Sequence, residues 1–124
     1  MNKKALGAAL ALVVMLAATS VQAMSVREFL ATAAGIPRNP TALLRSDTRR
    51  LLGEIRAVSA TLRSENEAAV AAGRRPAYCS PERRTSVSAD ALLARFNAIP
   101  ESRRDMSVTQ AMREWMAERY PCPA

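Results

Sequence analysis

The sequence predicts an all-α fold, a small bundle of about four helices, from three observations. Apolar residues recur at three- and four-residue steps in several segments, which is the spacing of one helical face. Serines that suit helix N-caps precede those segments, and Gly or Pro follows them. No segment alternates apolar and polar residues over a length that would make a strand. The 124 residues leave room for one domain.

Residues 1–23 have the pattern of a signal peptide. Lys3 and Lys4 precede an apolar run of about 14 residues, shorter than the roughly 20 that span a bilayer. Val21-Gln22-Ala23 then has the small-x-small pattern of a cleavage site. We expect cleavage after Ala23, export to the periplasm and a single helical domain of residues 24–124. An uncleaved membrane anchor is the alternative, and a lipoprotein is disfavoured because no Cys lies near the cleavage site.

The first predicted helix begins after Ser25, because Ser25 and Glu28 have the spacing of a capping box in which Glu28 reaches back to the N-cap. Gly35 and Pro37 are expected to end this helix after about ten residues. One further helical turn is expected over residues 41–45.

The longest predicted helix has an N-cap at Ser46 or Asp47 and a C-terminal stop at Gly73, which gives it a length of nearly 40 Å. A second capping box at residues 64–67 could restart the helix, so both a straight and a kinked helix are compatible with the sequence. If the helix is straight, its distal half could protrude or pack against a second copy of the chain. Its apolar face consists of Leu51, Ile55, Val58, Leu62, Ala69 and Val70.

The third predicted helix starts near Ser88 and ends at Pro100, and the fourth starts at a capping box formed by Ser107 and Gln110 and ends at Tyr120-Pro121. We interpret the Trp and Met residues of the fourth helix as core rather than as a recognition surface. The apolar sides of the two helices are Leu92, Leu93, Phe96 and Ile99, and Val108, Ala111, Met112, Trp115 and Met116.

The composition argues against enzyme chemistry and against a metal or another cofactor. The chain has no His, which is the commonest general base and metal ligand, and only two Cys. No Gly-rich phosphate loop, Gly-x-Ser-x-Gly motif or metal-ligand spacing occurs. Because Lys3 and Lys4 are the only lysines, cleavage would lower the net charge from +7 to +5. The 16 arginines that remain are most simply a compositional bias, so nucleic acid is not an expected partner.

The two cysteines, Cys79 and Cys122, are expected to form a disulfide. An oxidising compartment favours the bond, and the chain offers no other pairing. Such a bond would join the end of the long helix to the end of the fourth helix. A reactive thiol pair is disfavoured because the chain has neither a Cys-x-x-Cys motif nor a His beside either cysteine.

The connection between the third and fourth helices is the candidate binding loop, since it is short, charged and held between two capped helices. An acid/base pair of Glu101 and Asp105 is the catalytic alternative, and nothing nearby in the sequence suggests their burial. The arginine pairs at 49–50, 74–75, 83–84 and 103–104 are interpreted as solvated charge, or as donors to a carboxylate-rich partner. The candidate partner-binding residues are Pro100, Glu101, Arg103, Arg104 and Asp105.

The C-terminal half also carries a recognisable arrangement of motifs. Tyr78-Cys79-Ser80-Pro81-Glu82 precedes a helix that ends in Ile99-Pro100-Glu101, and Met106-Ser107-Val108 opens a second helix that ends in Tyr120-Pro121-Cys122-Pro123. Over residues 78–123 this resembles the Tai-like family, the immunity proteins of type VI secretion amidases. The first half differs, because it has one long Arg/Ala/Glu-rich helix without Cys where close family members have further cysteines and a Gly-containing helix pair.

The resemblance implies a small, helical, disulfide-bonded protein of the periplasm that binds and blocks a peptidoglycan amidase effector, commonly as a dimer. It also implies that a loop between helices, here residues 100–105, enters the amidase cleft. The alternative is a small envelope-stress or chaperone-like helical protein, similar to the acid-stress chaperones of the periplasm. These two hypotheses differ in selectivity, because an inhibitor needs one partner and a chaperone accepts many.

Overall fold

The computed structural model describes residues 23–80 and 87–124, and within those ranges the protein contains four α-helices and no strand. The all-α prediction is therefore confirmed. The signal-peptide prediction for residues 1–22 and the arginine pair 83–84 lie outside the described residues. The helices are α1 (Val26–Ala34), α2 (Ser46–Ala71), α3 (Ala89–Asn97) and α4 (Val108–Arg119), with short 3-10 turns at Pro40–Leu44 and Glu101–Arg103.

Three of the four helices begin at the serines that the sequence predicts. The hydroxyl oxygens of Ser25, Ser88 and Ser107 each accept a hydrogen bond from the backbone N–H three residues later, at 3.0–3.1 Å. The expected return contact from Glu28 is not formed, because its carboxylate instead pairs with Arg50 of α2. The caps at α1, α3 and α4 thus fix where each helix starts.

Helix α2 is one unbroken helix of 26 residues, about 39 Å long, that continues through residues 64–67. It starts one residue earlier than expected, since Arg45 is the N-cap and Ser46 is already helical. Its end is as predicted, because Gly73 adopts a φ of 70°, which favours glycine. The helix does not restart at the second capping box, which was one of the two possibilities that the sequence left open.

The core lies among α1, α2 and α4, with α3 packed against α1. Val26, Phe96 and Val108 are fully buried at its centre, and the Phe29 and Phe96 rings meet edge to face at a centroid distance of 5.3 Å. The interpretation of the α4 apolar residues as core is confirmed, with Trp115 packed partly buried beside the others. The buried residues of α2 and α4 are Leu51, Val58, Leu62, Ala69, Val108, Ala111, Met112 and Met116.

The predicted apolar face of α2 is wrong at Val70, whose side chain is 64% exposed. Ala69 and Val70 are neighbours in the chain, so they point about 100° apart around the helix, and only Ala69 faces the core. Ile55 is partly buried against the core. No helix in the described part of the chain is long and apolar enough to span a bilayer.

The predicted disulfide is present and joins the segment after α2 to the segment after α4. Cys79 and Cys122 lie with their Cα atoms 4.8 Å apart. Around the bond, the Cys79 N–H donates to the Tyr120 carbonyl at 2.8 Å, and Arg75 donates to the Cys122 carbonyl at 2.6 Å. From α2, the side-chain amide of Asn66 donates to the Tyr78 carbonyl at 3.1 Å. This end of the molecule is therefore fixed covalently and by hydrogen bonds.

We expect the disulfide to supply a large part of the stability. Its sequence separation of 43 corresponds to about 4 kcal/mol of loop-closure entropy. Replacing both Cys79 and Cys122 with Ser should lower the Tm by more than about 10 °C, measured by circular dichroism. A reductant should lower the Tm of the parent protein to a similar extent and leave the Tm of the double variant unchanged. Equal melting of parent and variant would contradict this contribution.

Tyr78, beside the disulfide, should make stability fall at alkaline pH. Burial raises the pKa of its hydroxyl above the ordinary value of 10.0, although the charge of Arg63 opposes this rise. As the pH rises, the Tyr78 hydroxyl therefore ionises first in the unfolded chain. Its contribution to the free energy of unfolding is constant below about pH 10 and is lost as the pH rises towards the folded-state pKa. Urea unfolding measures the free energy of unfolding at pH 8 and above pH 10. The decrease between the two pH values should be smaller for Tyr78→Phe than for the parent. An equal loss would exclude Tyr78 as a cause.

Candidate functional site

The candidate site is the α3–α4 loop, residues 100–105, which is built from consecutive tight turns. Pro100 lies three residues after the end of α3, and its carbonyl accepts the Arg103 N–H at 2.8 Å. The Glu101 and Arg103 carbonyls accept the N–H groups of Arg104 and Met106, both at 3.2 Å. The loop therefore has a defined backbone conformation of its own.

The first turn of α1 pairs with this loop through its backbone. The Val26 N–H donates to the Met106 carbonyl at 3.0 Å, and the Arg27 N–H donates to the Arg104 carbonyl at 2.8 Å. These bonds continue an isolated antiparallel bridge between Ser25 and Ser107. The loop is thus attached to the first turn of α1 as well as to α3 and α4.

Arg27 connects the two ends of the loop through its side chain. Its Nε donates to Asp105 Oδ1 at 2.9 Å, and its Nη2 donates to the Glu101 carbonyl at 2.8 Å. Its Nη1 also lies 3.7 Å from Glu101 Oε1. The hydrogen bond and the charge of Asp105 raise the pKa of the Arg27 guanidinium further above its ordinary value. One cation therefore holds both carboxylates of the loop in place.

The two arginines of the loop have different surroundings. The Arg104 guanidinium turns back against the molecule, where Nε donates to the Ile99 carbonyl and Nη2 to the Asn97 carbonyl, both at 3.0 Å. These carbonyls lie at the C-terminal end of α3, where a cation is favourable. Arg103 instead lies on the outside, with its Nη2 at 3.3 Å from Glu114 of α4. Arg103 is thus the arginine that the loop presents to solvent.

Four of the five predicted site residues are exposed on the loop, whereas the Arg104 side chain turns back beneath it. The side chains of Glu101 and Asp105 are 81% and 82% exposed, and Pro100 and Ser102 are exposed as well. Two exposed carboxylates already paired with an arginine suit hydrogen bonding and charge recognition. In the described ranges, no group of three or more His, Cys, Asp or Glu side chains is arranged to hold a metal ion.

Sequence reasoning missed the role of Arg27. Its contacts with the loop join residues 74 and 78 positions apart, so no local spacing could indicate them. The only signal is an arginine in the first turn of a helix, where the helix dipole disfavours a cation and an acidic partner offsets the cost.

An apolar groove is a second feature that sequence reasoning missed as a site. It has a volume of about 880 Å³ and lies between α1, α2, α3 and the turn Pro40–Leu44. Its walls include Leu30, Ile36 and Leu52, while Leu43 and Leu44 on the adjoining turn are 70% and 79% exposed. Such a concentration of exposed leucine is unusual for solvent-facing turns.

Comparisons with known proteins add no assignment, since no family model, no curated protein and no solved structure matches this chain.

We expect Arg27 to order the loop more than it stabilises the fold. Arg27→Met keeps the aliphatic stem and removes the donors to Glu101 and Asp105, so amide exchange in residues 101–106 should become several-fold faster. The Tm should change little, because these ion pairs are solvent-exposed. Hydrogen exchange read by mass spectrometry measures the effect. The control is Arg49→Met on the exposed side of α2, and equal exchange in the two variants would contradict this role.

Proposed function

We propose that this protein is a non-catalytic inhibitor of the periplasm, of the immunity type, that occludes the cleft of a peptidoglycan amidase effector delivered by type VI secretion. The observation that carries the proposal is the α3–α4 loop, which is exposed yet held in one conformation by Arg27 and by the backbone of α1. A loop ordered before binding loses little conformational entropy in the complex, and this favours tight association. The resemblance of residues 78–123 to the Tai-like family supports the choice of partner.

The proposed mechanism is steric. Pro100, Glu101 and Ser102 are consecutive exposed residues at the start of the loop, and they would fill the cleft. Arg103 and Asp105 would place one charge of each sign at its rim, where charge pairs select the partner and orient the approach. Arg104 would act from beneath, by holding the loop against the end of α3.

The test is inhibition of purified type VI amidase effectors on peptidoglycan, with the oxidised chain beginning at Met24. We expect Ser102→Arg to weaken inhibition of the cognate amidase at least ten-fold, or about 1.4 kcal/mol, because an added side chain would clash within the cleft. Ser59→Arg, on the exposed side of α2, is the matched control and should inhibit like the parent. If no effector of a broad panel is inhibited, the amidase assignment fails.

Arg103→Glu tests the charged rim separately. Reversing this charge should reduce the affinity for the same amidase while the Tm stays near that of the parent, since Arg103 is mostly exposed. Calorimetric titration gives the affinity. Glu114→Gln removes the same contact from the other side and should leave the affinity unchanged. An unaltered affinity of Arg103→Glu would remove this residue from the interface.

The apolar groove favours a second candidate function, that of a chaperone-like protein of the envelope. Exposed Leu43 and Leu44 beside an 880 Å³ groove would bind apolar segments of unfolded chains without selecting one sequence. This candidate predicts that the protein suppresses aggregation of several unrelated proteins at acidic pH. Leu43→Ser with Leu44→Ser should abolish that suppression, whereas the loop variant Ser102→Arg should not.

A further inference from the structure

The described fold begins at Met24, directly after the predicted cleavage site. Ala23 is exposed, whereas Met24 is only 7% exposed and packs in the core. The Met24 carbonyl accepts the Val108 N–H at 2.8 Å, next to the Ser25–Ser107 bridge. The predicted cleavage site and the first buried residue in the described part of the chain therefore meet at the same peptide bond.

The backbone nitrogen of Met24 has an acidic partner on α2. It donates to Glu54 Oε1 at 3.3 Å, and Glu54 is itself partly buried. In the uncleaved chain this nitrogen belongs to a neutral amide with one N–H. The bond is then a hydrogen bond from a neutral amide to a charged carboxylate.

Cleavage changes the chemistry at this nitrogen. Water adds across the Ala23–Met24 bond, so that Ala23 ends in a carboxylate and Met24 begins with an amine. That amine takes up a proton and is an ammonium below its ordinary pKa of about 8. An ammonium has three donors and a full positive charge, so its contact with a carboxylate gains a charge–charge attraction that the neutral amide lacks.

We propose that Glu54 is the acceptor for the Met24 α-ammonium, so that removal of the leader adds an ion pair and stabilises the processed fold. Burial of the Met24 side chain and its bond to Val108 would also stop further trimming from this end, and Met24 remains the N-terminal residue. The inference rests on the export part of the proposed function and does not depend on the identity of the partner.

The experiment is a double-mutant cycle between the N-terminus and Glu54. Four oxidised proteins are compared, which begin at Met24 or at Gln22 and carry Glu54 or the E54Q substitution. In the chain that begins at Met24, E54Q should raise the unfolding equilibrium constant about five-fold more than in the chain that begins at Gln22, because only the former loses a charged pair. Urea unfolding at pH 7 gives the constants. An equal effect of E54Q in both chains would overturn the proposal.

Two further measurements keep the result unambiguous. Acetylation of the Met24 amine in the parent removes the charge without changing α2, and it should reproduce the effect of E54Q. E67Q, on an exposed part of α2, is the matched control and should behave alike in both chains. If acetylation costs no stability, the ion pair is absent whatever E54Q does.

The mass of the protein recovered from the periplasm of its own cells tests the processing step. A chain that begins at Met24 supports the proposal, and a chain that retains residue 23 or lacks residue 24 overturns it. A failure to inhibit amidases would change neither the mass of the processed protein nor the result of the double-mutant cycle. The two proposals are therefore contradicted by different measurements.

Discussion

The fold depends on the pairing of residues 24–27 with the segment that leads into α4. Ser25 and Ser107 lie opposite each other in an antiparallel bridge, and each is also the N-cap of a helix. Two helices therefore start from one point and diverge from it. Val26 and Val108, the first residues of these helices, are completely buried, which fixes the pairing by apolar contact as well as by hydrogen bonds. The candidate binding loop is the continuation of this same pairing.

Helix α2 connects the region of the Ser25–Ser107 bridge with the disulfide end of the molecule. Along its length of about 39 Å, Arg50 pairs with α1, Glu54 with the Met24 nitrogen, and Glu65 with Arg113 of α4. Exposed ion pairs contribute little stability one by one. The Glu65–Arg113 pair is a two-pronged contact, with distances of 2.7 and 3.1 Å, and it specifies the register of α2 against α4.

Local features were predictable from the sequence and distant contacts were not. The serine caps, the glycine stop and the helical periods are all encoded within a few residues, so the starts of α1, α3 and α4 could be placed almost to the residue. The end of α3 was placed less well, because the helix ends at Asn97 rather than at Pro100. Where the local pattern was ambiguous, as at Ala69 and Val70, only packing decides which side chain is buried. The Arg27 contacts and the Met24–Glu54 bond join residues that are far apart in sequence, and no spacing rule indicates them. The loop itself was found because its charge and its flanking caps are local.

The attachment of the loop to α1 also has a kinetic consequence. The groups that shape the loop lie up to 78 positions apart in the sequence. The loop therefore cannot reach its final conformation until both segments are present and the entropy cost of bringing them together has been offset. A truncated or half-folded chain would therefore lack the ordered loop. The partner binding proposed for this loop would then be a property of completed chains alone.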